Sequence, residues 1–191
     1  MTNLVPLARR QFLSQSTSLT LSAATVGVLA GAPRLARAEG DPAKDTTILN
    51  VALGLEYEAI AAYQLGAQSG LLQKPVLETA VLFQSHHKGH RDALAATIQK
   101  MGGTPVAEKS LDDYAKALNA GMLKNQADVL ALATRLELGA TNAYLGVIPS
   151  FRDPALAKIA GRLAADETMH WTVLASSLGR PLPAAPLYFG A

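Results

Sequence analysis

No cysteine occurs among the 191 residues. That excludes a disulfide framework, a zinc–thiolate site and a cysteine nucleophile. Aromatic residues are scarce, 5% of a chain that is 49% hydrophobic. Alanine and leucine supply most of the apolar content, which favours helices over strands. No alternating strand pattern of useful length is present, and no basic run. Residues 1–38 hold Arg9, Arg10, Arg34 and Arg37 and no acid; the other 13 basic and 15 acidic residues leave the body of the chain at −2. A near-neutral body argues against a nucleic-acid partner. The length suits one domain with a small appendage.

The appendage reads as an address. A positive start is followed by a mild apolar stretch from Leu19 to Ala32 and then "ARA" (36–38) before Glu39. That is the layout of a cleavable export signal with a small-x-small cleavage site, here after Ala38. The apolar stretch is short and rich in Ala, Ser, Thr and Gly, so a membrane-spanning helix fits less well. Arg9 and Arg10 followed by Phe12 and Leu13 resemble a twin-arginine (Tat) signal. The Tat pattern also has Ser or Thr before the pair and often Lys after the Leu, where this chain has Ala8 and Ser14. The resemblance implies a bacterial protein exported already folded through the Tat translocon, to the periplasm or beyond.

Residues 39–178 carry four helical patterns. The first runs from Asp45, a plausible N-cap, to Gly70, with Leu49, Leu53, Glu56, Ile60 and Tyr63 inward. The second runs from Pro75 to the Gly102–Gly103 stop, with Phe83, His87, His90, Leu94 and Met101 inward. The third spans Gln126 to Ile148, with Leu130, Ala133, Glu137, Tyr144 and Ile148 inward. The fourth spans Pro154 to Leu178, with Ile159, Leu163, Glu167, His170 and Leu174 inward. Short turns make each consecutive hairpin antiparallel. The long connection 103–125, with a short helix in "LDDYAKALNAG" (111–121), lets helices two and three run parallel. A proline-rich tail, 179–191, should lie extended on the surface.

The two hairpins repeat one another. "GLEYEAIAAY" (54–63) and "RLELGATNAY" (135–144) share Leu, Glu, Ala, Ala and Tyr in register, at an offset of 81. "HHKGHRDAL" (86–94) and "DETMHWTVL" (166–174) share His and Leu at an offset of 80. Residues seven apart lie on one helix face, so Glu56 points with Tyr63 and Glu137 with Tyr144. Residues three apart have Cβ atoms about 5–6 Å from each other, which lets Glu167 and His170 serve one metal or two adjacent ones. Three inward Glu and three inward His, with no inward Lys or Arg to pair them, call for a cation. His86 and Asp166 sit one step off the inner face and flank the ligand set. Glu58 and Glu78 read as solvated charges, and Trp171 as packing at the bundle edge.

These motifs resemble the ferritin-like superfamily of di-metal carboxylate four-helix bundles, whose pattern is Glu, Glu-x-x-His, Glu, Glu-x-x-His on successive helices. Glu56, His90, Glu137, Glu167 and His170 match it, and His87 stands where the second motif has Glu. The resemblance implies an all-α bundle with one long crossover between helices two and three. It also implies a dinuclear site of two iron ions, with manganese, copper or zinc as alternatives, acting on oxygen or peroxide. Tyr63 and Tyr144 are then candidates to hydrogen-bond a bound oxygen species or to donate an electron, against the plainer reading of packed tyrosines. His87 removes one bridging carboxylate and leaves three carboxylates against two divalent cations, which disfavours accumulated ferric charge and favours imidazole-loving copper or zinc.

Three functions stay open on the sequence: a metal-dependent oxidase, peroxidase or catalase; a non-catalytic iron- or copper-binding stress-protection protein; and a structural bundle that has lost its metal. Fold resemblance does not choose among them, and the sequence does not decide whether the chain forms a homo-oligomer.

Overall fold

The computed structural model describes residues 42–190. The expected Tat signal, its cleavage after Ala38 and the export they imply lie outside the described residues. Helix α1 spans Pro42–Gln68, α2 Lys74–Lys100, α3 Leu111–Ala117, α4 Gln126–Val147 and α5 Pro154–Ser177, with 3-10 turns at Ala120–Met122 and Ile148–Ser150. There is no strand among the described residues, and none of their helices is long and apolar enough to cross a membrane.

Local signals account for most boundaries. Asn125 caps α4 by accepting from Asp128 N at 3.0 Å, while Asp128 Oδ2 accepts from Asn125 N at 3.2 Å, a reciprocal capping box. Asp153 caps α5 through Ala155 N at 2.8 Å, ahead of Pro154. Asp45 is a correction. Helix α1 starts before it, so Asp45 lies in the first turn rather than at the cap, where a carboxylate complements the positive end of the helix dipole. The second helix of each hairpin closes in the same way. Gly102 and Gly179 adopt φ of 80° and 69°, and the following amides, Gly103 N and Arg180 N, reach back to Ile98 O at 2.9 Å and Ala175 O at 3.0 Å. Thus the repeat extends to the helix ends.

Side-chain pairings give the topology. Tyr63 bonds to Glu137 and Tyr144 to Glu56, so α1 and α4 are antiparallel. His86 meets His170 and His90 meets Asp166, so α2 and α5 are antiparallel as well. With short turns within each hairpin, α2 and α4 must run parallel, as the long crossover allows. The crossover carries α3, whose Tyr114, with Leu118 just past the helix end, packs against Ala61 and Ala62 of α1.

Apolar layers enclose the middle of the bundle. On one side lie Leu49, Leu53, Leu94, Ile98 and Leu163; on the other, Phe83, Ala80, Leu130 and Leu174. Each large aliphatic side chain buried there contributes about 1.5–3 kcal/mol. The tail lies back along the bundle. Tyr188 and Phe189 pack against the buried Trp171, tilted and edge-on, with ring centroids 5.7 and 5.1 Å away, and Gly190 N donates to Asn142 Oδ1 at 2.8 Å.

Candidate metal centre

Each long helix brings an ionisable residue to the bundle axis because the inward stripe has helical period: Glu56 from α1, His87 and His90 from α2, Glu137 from α4, Glu167 and His170 from α5. All six are buried. They form two groups whose potential ligand atoms lie within 4.8 Å of one another: Glu56, His87, His90 and Glu167; and His87, Glu137, Glu167 and His170. The groups share His87 and Glu167, which are counterparts in the sequence repeat. No Lys or Arg is buried among the described residues.

His87 lies between two acids. Its Nδ1 is 2.8 Å from Glu56 Oε2 and its Nε2 is 3.2 Å from Glu137 Oε1. Burial opposes a charged imidazole, but the Glu137 and Glu167 carboxylates and its hydrogen bonds hold His87 well above its ordinary value. Burial alone would also raise Glu56, yet its hydrogen bond with His87 and the charge of the neighbouring His90 bring it down to about 2. Glu137 is likewise held below the usual carboxylate range: burial is outweighed by the charge on His87, by the neighbouring His170 ring and by the hydrogen bond with His87. Glu167 goes the other way, to about 7, because burial and the nearby Glu137 and Glu56 disfavour a third negative charge. His90, opposed by burial, is raised to about 10 by Glu167 and Glu56. The imidazoles themselves therefore supply positive charge to the acids, a pairing that inspection for Lys and Arg alone overlooks.

Protons do not satisfy every group. His90 Nδ1, Glu137 Oε2 and Glu167 Oε1 are buried without a hydrogen bond. His90 Nδ1 and Glu167 Oε1 lie 3.2 Å apart, near enough to attract but not directed as a hydrogen bond. Buried polar atoms are rarely left in this condition. Three orphaned donor atoms on three candidate ligands, in a cluster of carboxylates and imidazoles, fit a metal ion.

Two further layers steady the cluster. Tyr63 donates to Glu137 Oε1 and Tyr144 to Glu56 Oε1, each hydroxyl crossing to a carboxylate of the other hairpin. Burial first, then the charge of the acceptor, keeps both phenols protonated and hence donors. In this structure neither hydroxyl is free for an oxygen species. The second layer is His86 and Asp166. Asp166 Oδ2 is 3.2 Å from His90 Nε2, and His86 Nδ1 is 2.9 Å from His170 Nε2. Each thus abuts the outer nitrogen of a histidine on the facing helix, the place from which ring orientation and tautomer are set.

The sequence reading missed two residues. Glu58, expected in solvent, is 8% exposed and borders a cavity of about 40 Å³ between α1 and α4, with Arg135, His87 and Glu137 also in its wall. Glu78 is exposed as expected. Thr141, one turn after Glu137, is fully buried and its hydroxyl has no hydrogen-bond partner. Its repeat counterpart is Ile60, and a polar residue at a position apolar in the other half was the available signal.

A duplicated helical hairpin enclosing a buried carboxylate–imidazole cluster defines the class of protein. The sequence matches the ferritin-like domain family over residues 44–180, and the chain belongs to that family. A crystal structure of a conserved hypothetical protein from Mycobacterium tuberculosis is similar in fold, with a TM-score of 0.60 and 22% identity, covering 76% of this chain and 99% of the other. No curated protein matches the sequence.

Proposed function

We propose that this protein is an exported dinuclear metal protein, holding two iron or manganese ions and acting on dioxygen or peroxide. The observation that carries this reading is the pair of overlapping quartets joined at His87 and Glu167. Glu167 has two carboxylate oxygens and can serve both positions. Glu56 with His90 and Glu137 with His170 complete one position each. Such a pair of metals, when bound, would exchange electrons with a small oxygen species.

The chain's own residues do the remaining work. Tyr63 and Tyr144 fix one oxygen of Glu137 and of Glu56. Asp166 and His86 hold the outer nitrogens of His90 and His170. The apolar layers on either side keep bulk water out. The 40 Å³ cavity reaches His87 and Glu137; at about 10–15 Å³ per water-sized occupant, it has room for dioxygen or peroxide.

The test is elemental analysis of protein purified from its native compartment, followed by oxygen and peroxide consumption. Two iron or manganese ions per chain, with turnover lost in Glu137→Ala and Glu167→Ala, is the expected result. Protein that arrives without metal would sink the proposal. Tight metal uptake without turnover would establish the second reading, a metal-binding stress-protection protein, which His87 favours because an imidazole in a bridging place suits copper or zinc. Export belongs to the same proposal: residues 1–38 fused to a reporter should export it, and replacing Arg9 and Arg10 with Lys should stop it.

A further inference from the structure

At the end of the bundle formed by the α1–α2 turn lies a second, larger cavity of about 180 Å³. All four long helices contribute to its wall, which includes Gly66, Val76, Ala80, Leu130, Ala133 and Leu174. Small residues, Ala62, Gly66, Ala80 and Ala133, line it from α1, α2 and α4, while at Gly66 itself α1 packs close, a Cβ there coming within 3.0 Å of Val129 Cγ1. Exposed Pro75 and Ser177 mark where it meets solvent.

The three side-chain hydroxyls in the wall are already committed as donors. Thr79 Oγ1 donates to Pro75 O at 3.1 Å and Ser177 Oγ to Val173 O at 2.9 Å, while Tyr63 donates to Glu137. No Lys, Arg, His, Asp or Glu lines the space. Water needs several polar partners to be held in such a place, and an enclosed apolar cavity of similar size, about 150 Å³, binds benzene. A typical pocket for a drug-sized ligand is about 300–1,000 Å³, so the space points to a smaller occupant.

We infer that this cavity is a binding site for one small, uncharged, apolar molecule, an arene or short hydrocarbon on the scale of benzene. Tyr63 ties it to the polar cluster. Its side chain, with Ala62 and Ala133, lines both this cavity and the small one that reaches His87 and Glu137. A bound molecule therefore rests against the tyrosine that holds Glu137. None of the candidate metal ligands lines this cavity, so the inference does not depend on the proposed redox role.

The test is toluene added to the purified metal-free protein, followed through methyl NMR shifts. Saturable shifts should map to Val76, Leu130 and Leu174, and benzoate, similar in size but charged, should not produce them. Ala133→Phe should weaken toluene by about tenfold or more by filling the space, and Ala80→Leu should do so from the opposite wall if the bulkier change prevents folding. Absence of saturation, equal binding of benzoate, shifts that map elsewhere, or unchanged affinity in a folded filled variant would each overturn the inference. Toluene binding with no metal uptake would leave this site standing while removing the metal reading.

Discussion

His87 and Glu167 face each other at the centre of the bundle, with His87 Nδ1 3.7 Å from Glu167 Oε1, and each belongs to both quartets of candidate ligands. They occupy equivalent places in the two hairpins but are opposite in charge chemistry. Without metal, His87 can donate from both ring nitrogens and share one positive charge between Glu56 and Glu137. With metal, an imidazole in that place supplies a neutral ligand where a carboxylate would supply charge.

His87→Glu should therefore separate the two states. The metal-free variant would bury four carboxylates against two imidazoles, and breaking a buried ion pair in this way costs about 3–5 kcal/mol. Two divalent cations would compensate the added charge. Thermal unfolding with and without metal should show a much larger gap for the variant than for the parent protein. An unchanged gap would mean that His87 does not meet the cations.

The tyrosines should not be equivalent. Glu56 Oε1 has Tyr144 as its donor, whereas Glu137 Oε1 also receives His87 Nε2 at 3.2 Å. Tyr144→Phe strands a buried carboxylate oxygen and should destabilise by about 1–3 kcal/mol; Tyr63→Phe leaves a partner and should fall nearer the usual net value of about 1 kcal/mol. Denaturant unfolding of the metal-free proteins measures both. Equal losses would show that the bond from His87 to Glu137 does not compensate.

The difference between the tyrosines also shows what the sequence could reveal. Spacing placed Tyr63 on the face of Glu56 and Tyr144 on the face of Glu137, and the 80–81 residue offset paired the hairpins. The period of a helix tells which side chains share a face. It does not tell how deeply the neighbouring helix is set, so the crossing of each hydroxyl to the other hairpin's acid was not legible. Glu58 escaped for the same reason: a position that looks outward on α1 alone is covered by the α4 residues that share its cavity. The apolar cavity is formed by what four helices leave unfilled, a property of their packing that no single stretch carries.

Asp166 and His86 should tune different cation positions. Asp166 contacts His90 of the first quartet and His86 contacts His170 of the second. Removing a partner of a ligating histidine typically weakens metal binding about 10–100-fold. Stepwise titration against a competing chelator should show Asp166→Ala weakening one binding event and His86→Ala the other. If both substitutions weaken the same event, the two quartets do not hold separate ions.

Acid and base should destabilise the metal-free protein for different reasons. Glu56 lies at about 2 in the fold against an ordinary 4.5, so it adds stability that is present above pH 4.5 and lost as pH falls toward 2; Glu137, also lowered, acts in the same direction. Glu167 is raised to about 7, so its contribution is full below pH 4.5 and disappears as pH rises through 7. His90 is raised to about 10 from 6.5, so its contribution is full below pH 6.5 and is lost on the way to 10. Stability should peak at about pH 5 and change by about 1.4 kcal/mol per pH unit for each proton that differs between folded and unfolded states. Cations take the place of the ring protons, so metal loading should release protons and flatten the alkaline decline. Unfolding midpoints across pH, with and without metal, together with proton release on metal addition, measure this. A metal-free midpoint that stays level from pH 5 to 9 would show that the buried histidines are not charged against the glutamates.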